Sequence, residues 1–415
     1  MVTTPIASGQ KVVKLSVLHT SSPLSNSTDP SSDECDISSL LKMLDSITDP
    51  RSPRGRIYVL SFLLAASFVA VLAGAKNFYA IERRIQDLPS SLMAKLGGTW
   101  CYFSQGYRFP GEKTVRMLLN ELDGGELDRI FGAWLFGNAR ADDDELLVLA
   151  IDGKVMRGAW TDENEKFTLF SAMIHDLGVT IAQVAVPGDT NEITQVENLL
   201  DALPIDEDQA VLVTMDAAHT QRDTAEHIAG KRGFDYIAAI KGNQPTFQQA
   251  VIDAVIPVLN NDPEWDTTER GHGRINRWRT WTADAGTIDF PHLERIACIR
   301  RDTYTLDGTW TSKEFALFGT SDSNMTAIRF HTHVRKHWGI ENKSHYVRDT
   351  VWREDLQQAR TRNGPQNIAA LRNAAIGTFR IAGFTNITAA TEWIAGDRAR
   401  ALPLLATQRY VDHSG

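Results

Sequence analysis

Apolar positions along this chain change their period twice. From residue 37 to about 140 the spacing is helical. Ile37, Leu40, Leu41 and Leu44 mark one amphipathic set, Val115, Leu118, Leu119 and Leu122 another, and Leu127, Ile130, Phe131, Trp134 and Leu135 a third. Asp49-Pro-Arg-Ser-Pro ends the first, and Pro110-Gly-Glu-Lys-Thr114 opens the second. Between them residues 57–75 carry no charge and are about one membrane span long. Basic residues stand on both flanks (Arg51, Arg54 and Arg56 before, Lys76, Arg83 and Arg84 after), so no positive-inside asymmetry sets an orientation. The Ala- and Ser-rich composition favours a helix buried in protein, with a membrane span as the alternative.

After the acidic stretch Asp142-Asp-Asp-Glu145 the period becomes that of strands. Residues 146–152 and 211–216 read as fully buried strands, and 167–175 with 179–186 as a hairpin closed by Asp176-Leu-Gly178. Helices are expected over 194–203, 220–232 and 247–259, with a strand over 236–240. Three strands followed by alternating helix and strand is an α/β pattern. It fits a mixed sheet of the RNase H-like kind, in which the first and fourth strands lie side by side. From 265 to 321 the signal is β again, with strands over 275–281, 295–301 and 315–319, read as an inserted β subdomain. Helical spacing returns from 327 to 352, interrupted only at Gly339, and again over 366–379. The expected organisation is therefore a disordered tail (1–36), an N-terminal helical domain (37–140), a first part of the α/β core (141–264), the insert (265–321), C-terminal helices of the core (322–400) and a tail (401–415).

Composition sharpens this picture in three places. Residues 1–36 are rich in Ser, Thr and Pro, too polar to offset chain entropy by burial. The net charge of −9 argues against wholesale coating of nucleic acid, so any nucleic-acid contact needs local basic patches. Three widely spaced cysteines, Cys35, Cys101 and Cys298, build neither a disulfide framework nor a CxxC metal site, which favours a reducing cytosol, and no secretory signal is expected.

The candidate chemistry lies in three acids. Asp152 and Asp216 each end a buried apolar run, and Glu341 sits in His337-Trp-Gly-Ile-Glu341-Asn within a helical pattern. Each has an ordinary reading. An aspartate at a strand end is often turn chemistry or a helix cap, and a helical glutamate is usually a surface charge. Together they suit hard divalent cations held over a phosphodiester. A rival set shares one of them: His333, His337, Glu341 and His345 recur every four residues and could offer zinc ligands from one helical face. Basic residues concentrate late in the chain. Residues 329–380 hold ten Lys or Arg against four acids, a difference of +6. Candidates for DNA contact are Lys154, Arg157, Lys241, Lys343 and Arg348, with Arg274, Arg277 and Arg279 interleaved with Trp278 in the insert, a mixture suited to phosphate contact and base stacking.

These segments resemble transposases of the ISAs-type, or H-repeat-associated, insertion sequences of the DDE superfamily. The motifs that carry the resemblance are IDGKVMRGA around Asp152, TMDAAHTQRDTAEHI around Asp216, IKGNQPTF, ERGHGRI, HWGIENKSHY around Glu341, and WRED at 352–355. DPRSPRG and VLAGAKNFYAI extend it into the N-terminal helices. The resemblance covers about residues 45–385. It implies Asp152, Asp216 and Glu341 as a DDE triad on an RNase H-like fold, a β insertion before the glutamate helix, and two Mg²⁺ ions with Mn²⁺ as a substitute. It further implies double-stranded DNA at element ends and target as partner, more than one subunit on that DNA, no membrane, and a bacterial cytoplasm. One departure follows Glu341-Asn342. The family usually shows a small residue, Leu, His and Trp, where this chain has Lys343, Ser344, His345 and Tyr346. A basic residue seven positions after the glutamate is common in related transposases, and Arg348 takes that place. A silent DNA-binding descendant and a simple nuclease of the same fold are the alternatives.

Overall fold

The computed structural model describes residues 36–139, 146–160, 166–188, 190–206, 208–357 and 359–406. Residues 1–35, the acidic stretch 142–145 and residues 407–415 of the expected C-terminal tail lie outside the described residues. The chain opens with α1 (Ser38–Asp45), α2 (Leu60–Leu72), α3 (Phe78–Gln86) and α4 (Ser90–Lys95). A short hairpin of β1 (Trp100–Cys101) and β2 (Gly106–Tyr107) follows, then α5 (Glu112–Glu121) and α6 (Gly124–Ala139). Every residue of α2 is buried. A helix with no polar face can only be stable inside a protein or a bilayer. At 13 residues it spans about 20 Å, short of a hydrocarbon core. No helix among the described residues is long and apolar enough to cross a membrane.

The centre is one nine-stranded mixed sheet. Its elements in chain order are β3 (Leu147–Trp160), β4 (Lys166–Ile174), β5 (Val179–Val186), α7 (Val196–Asp201), β6 (Val211–Met215), α8 (Arg222–Ala225), β7 (Asp235–Ile240), α9 (Pro245–Leu259), β8 (Trp265–Gly271), β9 (Arg274–Asp284), β10 (Arg295–Thr305) and β11 (Trp310–Thr320). Spatially the order is β5-β4-β3-β6-β7-β11-β10-β9-β8. The adjacency expected of the first and fourth strands is present: β3 and β6 pair in parallel, with Ala150 opposite Thr214. β6 and β7 are parallel as well.

The segment read as an inserted subdomain does not stand apart. β11 pairs antiparallel with β7, Leu317 opposite Ile240, so the excursion extends the central sheet. Its first strand, β8, falls outside the expected strands because its sequence WDTTERG has too few apolar residues to show a period.

The last third supplies α10 (Ala327–His337), α11 (Tyr346–Val351), α12 (Gly364–Ile381), α13 (Ile387–Gly396) and α14 (Leu402–Leu405). The helical stretch expected over 327–352, with Gly339 as its only interruption, also carries a π-helical turn, Glu341–His345. Residues 364–379 of α12 are all buried, with the helix packed on α6 and β5. One apolar core runs from Leu40 and Phe68 through Phe131 to Val179 and Phe379, and then to Leu402 and Leu405. The helices of 37–140 therefore share the core of the sheet, and residues 401–405, expected in a tail, are packed into it. The Trp352 indole donates to the Val71 carbonyl at 3.1 Å, tying the C-terminal helices to α2.

Candidate active site

The parallel register of β3 and β6 decides where the two aspartates go. With Ala150 opposite Thr214, Asp152 and Asp216, each two residues further on, come side by side. Asp216 leaves the strand into a turn, where its Oδ1 accepts the backbone N–H of Ala218 at 3.0 Å and of His219 at 3.1 Å. Burial pushes the Asp152 carboxyl up to about 6, and the neighbouring charges of Asp216 and Glu192 add to that rise. The hydrogen bond from Gly153 opposes it.

Glu192 is the acid that the sequence reading missed. It begins the 3₁₀ turn Glu192–Gln195 after β5, and Asn191 caps that turn by accepting the Ile193 N–H at 3.0 Å. Glu192 Oε2 lies 3.3 Å from Nε2 of His219, a buried ring stacked on Phe170 with centroids 4.7 Å apart. The same imidazole stands 4.0 Å from Asp216 Oδ1. The Glu192 carboxylate occupies the space left by Gly153, where an added Cβ would overlap it. The only available signal was indirect: an Asn-Glu pair after a strand, and a glycine directly after Asp152.

The glutamate helix lies across these strands. His337 Nδ1 is 2.9 Å from Thr214 Oγ1, which also meets His175 Nε2 at 2.8 Å and donates to the Leu149 carbonyl. Ile340 packs with Ala150 and Met173. His345 Nδ1 stands 3.7 Å from Asp152 Oδ2. Glu341 is exposed on the turn between His337 and His345. Among the described residues no hydrogen bond or ion pair joins it to Asp152 or Asp216, and no group of three or more His, Cys, Asp or Glu is placed to hold a metal.

The histidine face does not act as a unit either. His333 faces the His175 ring at 6.4 Å, while His337 and His345 reach different residues. Burial pushes His333 and His337 down to about 4 and His345 well below its ordinary value. In all three, burial disfavours the charged form. Asp152, whose charged form burial and the neighbouring Asp216 and Glu192 charges disfavour, offers the hard oxygen donors that a divalent cation takes.

The basic residues expected at DNA meet different fates. Arg348 is completely buried, with its Nε 2.8 Å from Glu354 Oε2. Glu354 also takes Arg372 at 2.8 Å, and all three are inaccessible to solvent. Arg348 therefore cannot meet a phosphate, and it further donates to Gln183 and Asn373. Lys154 is buried against Asp349 at 2.7 Å. Arg279 pairs with the buried Asp302 at 2.6 Å and Arg277 with Asp266. The guanidinium groups of Arg301 and Arg335 stand over the Trp278 ring, 5.3 and 4.5 Å from its centroid, so the indole is already engaged within the fold. Lys343 donates to the carbonyls of His175 and Asp176, fastening the π turn to the β4–β5 corner. Arg157, Lys241 and Arg274 are exposed.

Comparison with known proteins places this geometry in context. The family model described as "Transposase DDE domain" matches residues 144–377, and a second, "DDE_Tnp_1-associated", matches residues 41–135. The chain is 28% identical over 360 residues to YncI of Escherichia coli O157:H7, whose name assigns it provisionally to the transposases; the match covers 83% of this chain and 88% of YncI. It is 26% identical to YhhI of Escherichia coli K12, which is named as H repeat-associated with the same provisional assignment, over 82% of this chain and 90% of the relative. The cryo-EM structure of a piggyBac transposase synaptic complex with hairpin DNA aligns over 88% of this chain and 78% of its own, at a TM-score of 0.40 and 10% identity, too low to carry an argument.

Proposed function

Because this chain belongs to the transposase DDE-domain family, whose model matches residues 144–377, we propose that it is a transposase that cuts DNA at the ends of an insertion sequence and joins the freed strand to a target. The observation that carries this reading is the parallel register of β3 and β6, which sets Asp152 beside Asp216. Counted from β3, the first five strands lie in the order three-two-one-four-five, which supports an RNase H-like core.

Asp152 and Asp216 are the anionic centre, with Glu341 as the third acid on the helix packed across them. These carboxylates would hold two Mg²⁺ ions, with Mn²⁺ as a substitute, which supply an activated oxygen nucleophile and charge neutralisation at the phosphodiester. The chain's own residues do the rest. Asp216 is aimed by two backbone N–H groups, and His219 backs it from a ring held by Glu192 and Phe170. Glu192 is thus a positioning residue. Thr214, His337 and Ile340 seat the glutamate helix on the strands. His345 stands beside Asp152, its Nδ1 3.7 Å from Oδ2, with its pKa pushed down by burial. Water attacks phosphorus in the first step and the strand leaves as a 3′-hydroxyl. In the second, that hydroxyl attacks a target phosphodiester. Joining two ends calls for more than one subunit on the DNA.

The test uses a plasmid carrying this coding sequence with its native flanks, incubated with the full chain and Mg²⁺ or Mn²⁺. Nicking at the flanks and strand transfer are expected for the wild type. Asp152→Asn and Asp216→Asn abolish both while retaining DNA binding by gel shift. Metal-dependent cleavage by Asp152→Asn refutes the assignment, and cleavage without any joining reduces the protein to a nuclease.

A further inference from the structure

We propose that the β1–β2 hairpin is a DNA-contacting wedge, with Tyr102 and Phe103 stacking on unpaired bases of a duplex end while Arg54 and Arg108 hold its phosphates. This rests on the reading that the chain acts on DNA.

The hairpin is built firmly, yet its tip is bare. Trp100 pairs with Tyr107 and Cys101 with Gly106, and the Trp100 and Tyr107 rings meet edge to face with centroids 5.0 Å apart. Gln105 takes a positive φ of 50° to close the turn, and its side chain donates to the Tyr102 carbonyl at 2.6 Å. The base is moored to the body. Thr99 Oγ1 donates to the Ile57 carbonyl at 2.9 Å, the Tyr58 hydroxyl to the Phe109 carbonyl at 2.8 Å, and the Gly98 N–H to the Met93 carbonyl at 2.8 Å. On this rigid mount Phe103 is 100% exposed and Tyr102 80% exposed. Two aromatic rings held out in solvent contribute nothing to the fold that burial would give. A preorganised ring, however, spares the entropy cost of ordering on contact.

Charge identifies the occupant. The two stretches joined by those hydrogen bonds, residues 50–59 and 95–110, contain Arg51, Arg54, Arg56, Lys95 and Arg108 and no acid, in a chain of net charge −9. Asp49 engages Arg51 and Arg56 from the rim, while Arg54 and Arg108 are exposed. Tyr, Phe and Arg also occur in protein–protein interfaces, so the discriminating feature is the absence of any acid across both stretches, which suits a polyanion. Aromatic rings edged by arginines are the composition of a surface for single-stranded nucleic acid. The helices around the hairpin match a model associated with the DDE domain, which gives that helical segment a place in the same enzyme.

The experiment uses the full chain and two fluorescein-labelled duplexes of about 40 base pairs, one blunt and one with a four-nucleotide unpaired fork, read by anisotropy at several salt concentrations. Tyr102→Ala/Phe103→Ala alters only exposed side chains, so the fold is retained. It is expected to weaken binding of the fork at least about tenfold, as loss of base–aromatic stacking does, with less than about a threefold change for the blunt duplex. Arg54→Ala/Arg108→Ala is expected to weaken both probes and to lower the slope of log K against log salt by about two. Wild-type affinity of the double aromatic variant for the fork overturns the proposal. So does a shift in its oligomeric state by light scattering with DNA binding unchanged, which would assign the hairpin to contact between copies. Failure of the wild type to bind either probe overturns the DNA reading itself, and Asp152→Asn, which leaves the hairpin intact, separates loss of catalysis from loss of grip.

Discussion

Gly153→Ala tests the placement of Glu192 with one methyl group. Gly153 lies within β3 opposite Phe170 of β4, in ordinary extended pairing. Alanine there would normally be neutral or stabilising by about 0.5–1 kcal/mol, because glycine loses more chain entropy on folding. Here the new Cβ overlaps the Glu192 carboxylate, which is the end of a movable side chain and swings away before the strand does. That takes from His219 its Nε2 partner, and leaving a buried polar group unpaired costs about 1–3 kcal/mol. The net expectation is a loss of about 0.5–2 kcal/mol, together with a fall in cleavage of about 10–100-fold, the range for removing a group that orients a ligand residue. The sign should reverse in a Glu192→Ala background, where nothing remains to collide with, so that Gly153→Ala becomes neutral or mildly stabilising. Urea unfolding of the four proteins of this cycle measures the coupling, expected at about 1–3 kcal/mol. Equal destabilisation by Gly153→Ala in both backgrounds, or none in either, refutes the argument.

Other expectations follow from the buried charges. Glu354→Gln leaves the guanidinium groups of Arg348 and Arg372 without their shared carboxylate and should cost about 3–5 kcal/mol in a thermal or denaturant melt. An unchanged melt would mean that the triad is not buried as described. His333 and His337 hold pKa values near 4 against 6.5 when unfolded, so the unfolded chain binds more protons between those values. Their contribution is present above pH 6.5 and is lost as pH falls through 4; melting temperatures between pH 7.5 and 4.5 should decline, less so for His337→Phe. Hydrogen bonds from Ser104 and Arg108 lower the Cys101 thiol to about 6, while burial raises Cys298 to about 11. Peptide mapping after brief iodoacetamide treatment at pH 7 should therefore find Cys101 alkylated and Cys298 untouched.

The strands that carry the aspartates were legible because each is an unbroken apolar run, and a run buried on both faces has few places to go except the middle of a sheet. Their adjacency also followed from the order of elements. Other features have no one-dimensional signature. Counting charges found the basic excess of residues 329–380 but could not tell that Arg348 and Arg372 are spent on Glu354 inside the core. Trp278 reads as a free stacking platform until Arg301 and Arg335, distant in sequence, are found stacked on its ring. The four-residue histidine spacing assumed a regular helix, whereas the turn Glu341–His345 is π-helical. Glu192 escaped because its meaning depends on the absence of a side chain at Gly153, thirty-nine residues away on β3.

The pairing of β7 with β11 limits how this molecule can be taken apart. β7 sits in the interior of the sheet, with Tyr236, Ile237, Ala238 and Ile240 buried. Excising residues 265–320 to make a minimal catalytic fragment would turn that strand into a bare margin, apolar on its faces and with unsatisfied amides along its flank. Such margins recruit other chains. A trimmed version should precipitate or form fibres rather than remain a smaller working enzyme, so shortening this protein would have to begin at its termini.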